Sequence, residues 1–103
     1  MYRVTIVYNH PSDPAAFDSY YESTHVPLVR ELPAVSKFVA GHCDNVGGQP
    51  ASAYLLAQLY FESADAAGAA LASPQGQAAA GDLANFADGG VTMLFSDENI
   101  VIP

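Results

Sequence analysis

The sequence predicts an α+β fold. Three observations lead there: alternating strands at Tyr2–Tyr8 and Ala53–Phe61, proline-led helices opening at Asp13-Pro14 and Ser73-Pro74, and a last alternating run, Val91–Ser96, behind the Gly89-Gly90 turn. With 103 residues the chain fits one domain, 1–103, since two cores would each bury too little apolar surface.

Each element has a local reason. Tyr2, Val4, Ile6 and Tyr8 fall on one face of the first strand and Arg3, Thr5 and Val7 on the other. Asp13 suits an N-cap, and Pro14 a first helical position where its missing N–H has no partner to lose. Phe17, Tyr20, Tyr21, Thr24, His25 and Leu28 then recur at spacings of three and four, which turns His25 inward. Pro27 cannot donate to the carbonyl four residues back, so the helix should bend or restart near His25 before Leu28 to Leu32 complete it. A second strand is expected over Val35–Cys43, followed by a loop at Asp44 to Gln49. In the strand Ala53–Phe61, Leu55, Ala57, Leu59 and Phe61 share one side, and Tyr54, Leu56, Gln58 and Tyr60 the other. Ser63 caps an alanine-rich helix to about Ala72, and Ser73 caps a second piece carrying Leu83, Ala84 and Phe86. The β-prone tail Asn99–Ile102 is expected to pair with a sheet edge, including one on another subunit. The order β-α-β-β-α-β is the ferredoxin-like arrangement: a four-stranded antiparallel sheet with its helices on one face.

Composition narrows the partners. Half the residues are hydrophobic and only 14% are charged, as in a packed globule. A formal charge of -8 repels phosphate backbones and anionic lipid, which argues against nucleic acid and membrane surfaces. A single cysteine, Cys43, permits no internal disulfide, and the first residues resemble neither a signal peptide nor a spanning helix, so a cytoplasmic location is expected. The bare sheet face would expose Tyr54, Leu56, Tyr60 and Leu94, a patch larger than soluble monomers usually leave open. Packing two such faces together is worth on the order of 10 kcal/mol before entropy is subtracted, so a homodimer is expected.

The segment Phe17-Asp18-Ser19-Tyr20-Tyr21-Glu22-Ser23-Thr24-His25-Val26-Pro27-Leu28, followed by Leu32-Pro33, resembles the EthD family, named for ethyl tert-butyl ether degradation. Ser73-Pro74-Gln75-Gly76-Gln77 with Asp82, Asn85 and Phe86 resembles that family's second-helix signature. One departure is Ala34, where the family commonly has Gly after Leu-Pro. The resemblance implies a dimeric α+β barrel, and small-molecule binding in catabolic or polyketide metabolism, as an enzyme or as an accessory protein beside a partner oxygenase. Fold alone does not settle which.

His25 is the candidate catalytic residue, because an imidazole exchanges protons near neutral pH and a helix break opens space beside it. The competing reading is a packing residue bonded to a carbonyl freed near Pro27, or to Tyr21. Tyr8, Tyr54, Gln58 and Tyr60 are candidates for the sheet wall of an apolar pocket, where they would orient a carbonyl- or hydroxyl-bearing ligand; they suit a dimer interface equally. Tyr20 and Tyr21 read first as helix packing, with Tyr21 retained as a ligand contact. His10 and His42 share no metal-ligand spacing with His25, so neither a metal nor a cofactor is expected. Cys43 reads as a small buried hydrophobe and the carboxylates as solvated singles, leaving Asp82 noted only through the resemblance. Acid–base catalysis on a small aromatic or polyketide-like compound, binding of an apolar intermediate, and a purely adaptor role all remain open.

Overall fold

Period-two runs and helix caps appear where the residues call for them. The computed structural model describes Met1–Pro103. Strand β1 (Tyr2–Tyr8) leads to α1 (Pro14–Tyr20), where the Asp13 carboxylate accepts the Ala16 N–H. Between α1 and α2 (Val26–Arg30) lies a π-helical turn, Tyr21–His25, in which the Val26 N–H bonds to the Tyr21 carbonyl five residues back. Pro27 has no N–H to continue an α-helical ladder and its ring crowds the preceding turn; widening that turn makes room for it. The expected break is therefore present, as a π-turn within a continuous helical path.

Strands β2 (Lys37–His42) and β3 (Leu55–Phe61) follow, then α3 (Ala64–Ala72), α4 (Pro74–Phe86) and β4 (Val91–Asp97). Both β2 and β3 are shorter than expected at their N-terminal ends, and β2 also stops before Cys43. Ser73 closes α3 and opens α4, its hydroxyl accepting the Gly76 N–H. At Gly76 a Cβ would stand 2.3 Å from the Ala70 carbonyl oxygen, so only glycine lets the two helices meet so closely.

The sheet runs β2-β3-β1-β4, every pair antiparallel. The register Val4↔Leu59, Ile6↔Ala57 and Tyr8↔Leu55 sets the apolar side of β1 beside that of β3, and the helices cover this face. Val4, Tyr8, Phe61, Ala57 and Leu59 are buried there against Phe17, Tyr21 and Phe86. The opposite face carries Arg3, Thr5 and Val7 beside Tyr60, Gln58 and Leu56, with Leu94 across from Thr5. Leu56 and Leu94 are 38% and 53% exposed, as expected of a sheet face with no helix over it. The tail forms no strand with its own sheet, and Ile100, Val101 and Ile102 stand exposed. No helix is long and apolar enough to cross a membrane.

Candidate functional site

The π-turn sets His25 at the centre of the helix layer. The residue is 3% exposed, and its ring lies against that of Phe86, with 4.7 Å between centroids. Nδ1 is 2.9 Å from Asp82 Oδ2, and Nε2 is 3.4 Å from the Tyr8 hydroxyl. The partners expected for a packing histidine, a freed carbonyl or Tyr21, are not the ones it takes; Tyr21 only packs against the ring.

Asp82 is itself 7% exposed and takes two further hydrogen bonds on Oδ1, from the Tyr20 hydroxyl at 2.6 Å and Asn85 Nδ2 at 3.0 Å. Burial alone would raise its carboxyl pKa, but the bonds from Tyr20, Asn85 and His25 outweigh burial and hold it below the ordinary range. Burial lowers His25, and Asp82 restores only part of that loss, so the ring is neutral at neutral pH. An ionised carboxylate only accepts, so Nδ1 carries the proton and donates to Asp82. Nε2 is then an acceptor, and the Tyr8 hydroxyl donates to it. Tyr8 is pushed far above its usual pKa by burial, with Tyr21 and Asp82 adding to it, and therefore stays protonated. Burial alone pushes Tyr21 up to about 12.

His25 and Tyr8 line a cavity of about 40 Å³ between sheet and helices. Ten of its twelve lining residues are hydrophobic, among them Ile6, Leu59, Leu83 and Met93, with Val29 and Leu32 from α2. The cavity lies within the single chain, on the helix side of the sheet.

That location divides the other candidates. Tyr8 and Tyr21 join His25, with ring centroids 5.7 Å apart. Gln58 and Tyr60 sit on the opposite face, where Tyr60 donates to Gln58 Oε1 at 3.1 Å and Gln58 donates to Thr5 Oγ1 at 3.4 Å. Tyr54 precedes β3 and turns back to the helices, its hydroxyl 2.8 Å from Asp18 Oδ1 and its ring edge-on to Phe17. The pocket wall expected from Tyr8, Tyr54, Gln58 and Tyr60 together is therefore not assembled, because the sheet separates its members.

Asp18, expected to be solvated, also holds His42 Nε2 at 2.9 Å, a bond that ties β2 to α1. Cys43 is half-buried and free. No three His, Cys, Asp or Glu side chains converge as a metal site. The residue that sequence reasoning passed over is Asp82. A signal for it existed: Gly76, Ala79, Asp82 and Phe86 recur at spacings of three and four, so the aspartate sits on the buried stripe of α4.

The EthD domain model matches residues 9–90, a span that holds the π-turn, His25 and Asp82. The chain belongs to the EthD family. An EthD family protein from Bacillus halodurans superposes with a TM-score of 0.90 at 26% identity, over 96% of this chain and 99% of that one. An uncharacterised 11.0 kDa protein of Rhodococcus erythropolis, named for the thcB–thcC intergenic region, is 68% identical over 103 residues, the whole of both chains. A dimeric ferredoxin-like protein of unknown function from Jannaschia shares the fold, with a TM-score of 0.70 at 20% identity over 95% of this chain and 100% of that one.

Proposed function

We propose that this EthD protein is an enzyme acting on a small apolar, oxygen-bearing compound, with His25 as general acid or base. The observation that carries the reading is the chain of contacts Asp82 Oδ2, His25 Nδ1, His25 Nε2 and Tyr8 hydroxyl, which ends at an apolar cavity. A packing histidine needs one partner. Here an anion clamped by Tyr20 and Asn85 orients the ring and compensates the imidazolium formed when Nε2 takes a proton. Tyr8 lines the cavity beside the ring, whereas Tyr21 packs on the ring without lining the cavity, and Tyr54, Gln58 and Tyr60 serve packing and the bare sheet face.

The working unit is a homodimer joined through that bare face. Leu56 and Leu94 stand exposed on it, and the Arg3 Nε is buried there without a hydrogen-bond partner. A partner's sheet would cover the two leucines. A second reading, a non-catalytic protein that holds a hydrophobic intermediate for a partner oxygenase, draws on the same apolar lining.

Mass spectrometry of compounds that copurify with the protein, followed by incubation of the identified compound with wild type and His25→Gln, separates the two. Catalysis predicts product with wild type alone. Unchanged compound with both proteins would leave binding as the role.

A further inference from the structure

We propose that the head group admitted to the His25 cavity is an uncharged carbonyl, with its oxygen accepting the Tyr8 hydroxyl hydrogen and its neighbouring C–H facing His25 Nε2. The inference rests on His25 as proton acceptor and adds the substrate class.

The charge of the ligand follows from what the cavity lacks. The chain has three Lys or Arg residues, Arg3, Arg30 and Lys37, and none of them lines it. Arg3 lies on the far face of the sheet, where its guanidinium donates to Ser96 Oγ, and Lys37 sits over the Tyr60 ring. A carboxylate or phosphate head would be buried among apolar side chains with no counter-charge, and with the Asp82 carboxylate behind the imidazole. The overall charge of -8 opposes its approach as well.

The carbonyl follows from the two polar groups present. Nε2 accepts and the Tyr8 hydroxyl donates, and at 3.4 Å their mutual hydrogen bond is long. A ligand oxygen can replace Nε2 as the acceptor for Tyr8, which frees the imidazole to take a proton from carbon. The space is small, about 40 Å³, so a head group enters it rather than a whole chain. A hydrocarbon tail leaves past exposed Ala80 and half-buried Leu83.

The step balances. The C–H bond breaks, its proton goes to Nε2, and its electron pair forms the carbon–carbon double bond of an enolate whose oxygen takes the Tyr8 hydrogen bond. Imidazolium and enolate form together, so the pair adds no net charge to the cavity. Return of a proton from Nε2 completes the exchange.

The test uses wild type with methyl pentyl ketone, its secondary alcohol and heptanoate, three probes of one length. Titration of the His25 and Tyr8 NMR resonances reads binding, and deuterium uptake beside the carbonyl in heavy water reads proton transfer. Ketone and alcohol are expected to bind, with heptanoate at least about tenfold weaker because its charge is buried unpaired. Tyr8→Phe, which keeps the ring, should weaken the ketone about fivefold. Deuterium should enter the ketone, roughly a hundredfold slower in His25→Gln. Heptanoate binding as tightly as the ketone, or failure of all three to bind, would overturn the proposal. Preferred binding of the uncharged probes without deuterium uptake would support the ligand class and remove the reading of His25 as a base.

Discussion

Asp82→Asn removes a charge at nearly constant shape and tests the clamp around His25. The carboxylate accepts three side-chain hydrogen bonds, from His25 Nδ1, Tyr20 and Asn85. An amide keeps one acceptor oxygen and puts an NH2 group where the other stood. If NH2 faces His25, Nδ1 must become the acceptor and the ring proton moves to Nε2; if it faces Asn85, two amide donors oppose each other. All three bonds lose their charge assistance and one pairing must rearrange or break, and since charge-assisted bonds are worth about 1.5–3 kcal/mol each, the variant should lose about 3 kcal/mol at neutral pH. For a chain of this size that is roughly 12 °C in Tm. Urea unfolding followed by circular dichroism, at fixed protein concentration, measures it. The sign with pH is also set: Asp82 titrates below the ordinary carboxylate range, so its stabilisation is present at neutral pH and lost as pH falls through its folded value. Wild type and variant should therefore converge only in strong acid. A loss below about 1 kcal/mol, or a gap independent of pH, would refute the clamp.

Four further outcomes follow. His25 is depressed by burial, so below about pH 6.5 the unfolded chain takes up a proton that the folded chain refuses; wild type should lose stability as pH falls from 7 toward 5, and His25→Gln should flatten that slope in the same urea series. Ala34 holds a left-handed backbone with φ of 64°, so Ala34→Gly should raise stability by about 1 kcal/mol, read from the urea midpoint. Gly76→Ala would drive a methyl into the Ala70 and Leu71 carbonyls and should cost at least about 3 kcal/mol, visible as a large drop in Tm. Leu94→Asp plants a charge on the bare sheet face, and light scattering should show a dimer for wild type and a monomer for the variant.

Much of the fold could be read from local chemistry. Asp13, Ser63 and Ser73 cap the helices where their spacing to the next apolar stripe says they must, and each side chain accepts the expected backbone N–H. Pro27 announced a break, but not its form, since a π-turn leaves the inward stripe of Tyr21 and His25 in place. Ala34 after Leu32-Pro33 was legible as a departure from a glycine, and the positive φ there explains why glycine suits the turn.

The site was half legible. Inward His25 follows from helical spacing, yet its partner Asp82 is 57 residues away, and no local period reports a contact between two helices. An aspartate in an alanine-rich helix reads as surface unless its place on the stripe with Gly76, Ala79 and Phe86 is counted. The alternation in β1 and β3 identified both faces of each strand but not which face of one lies beside which face of the other. The register Tyr8↔Leu55 settles that, and it carries Tyr8 to the helices and leaves Gln58 and Tyr60 behind the sheet.

The site stands on a neutral His25 with its proton on Nδ1, bound to Asp82, and Nε2 left as the acceptor for the Tyr8 hydroxyl. The long-range proton–nitrogen NMR spectrum of His25 at neutral pH tests it most directly. A protonated Nδ1 and an unprotonated Nε2 are expected. A proton on Nε2, alone or together with one on Nδ1, would contradict it.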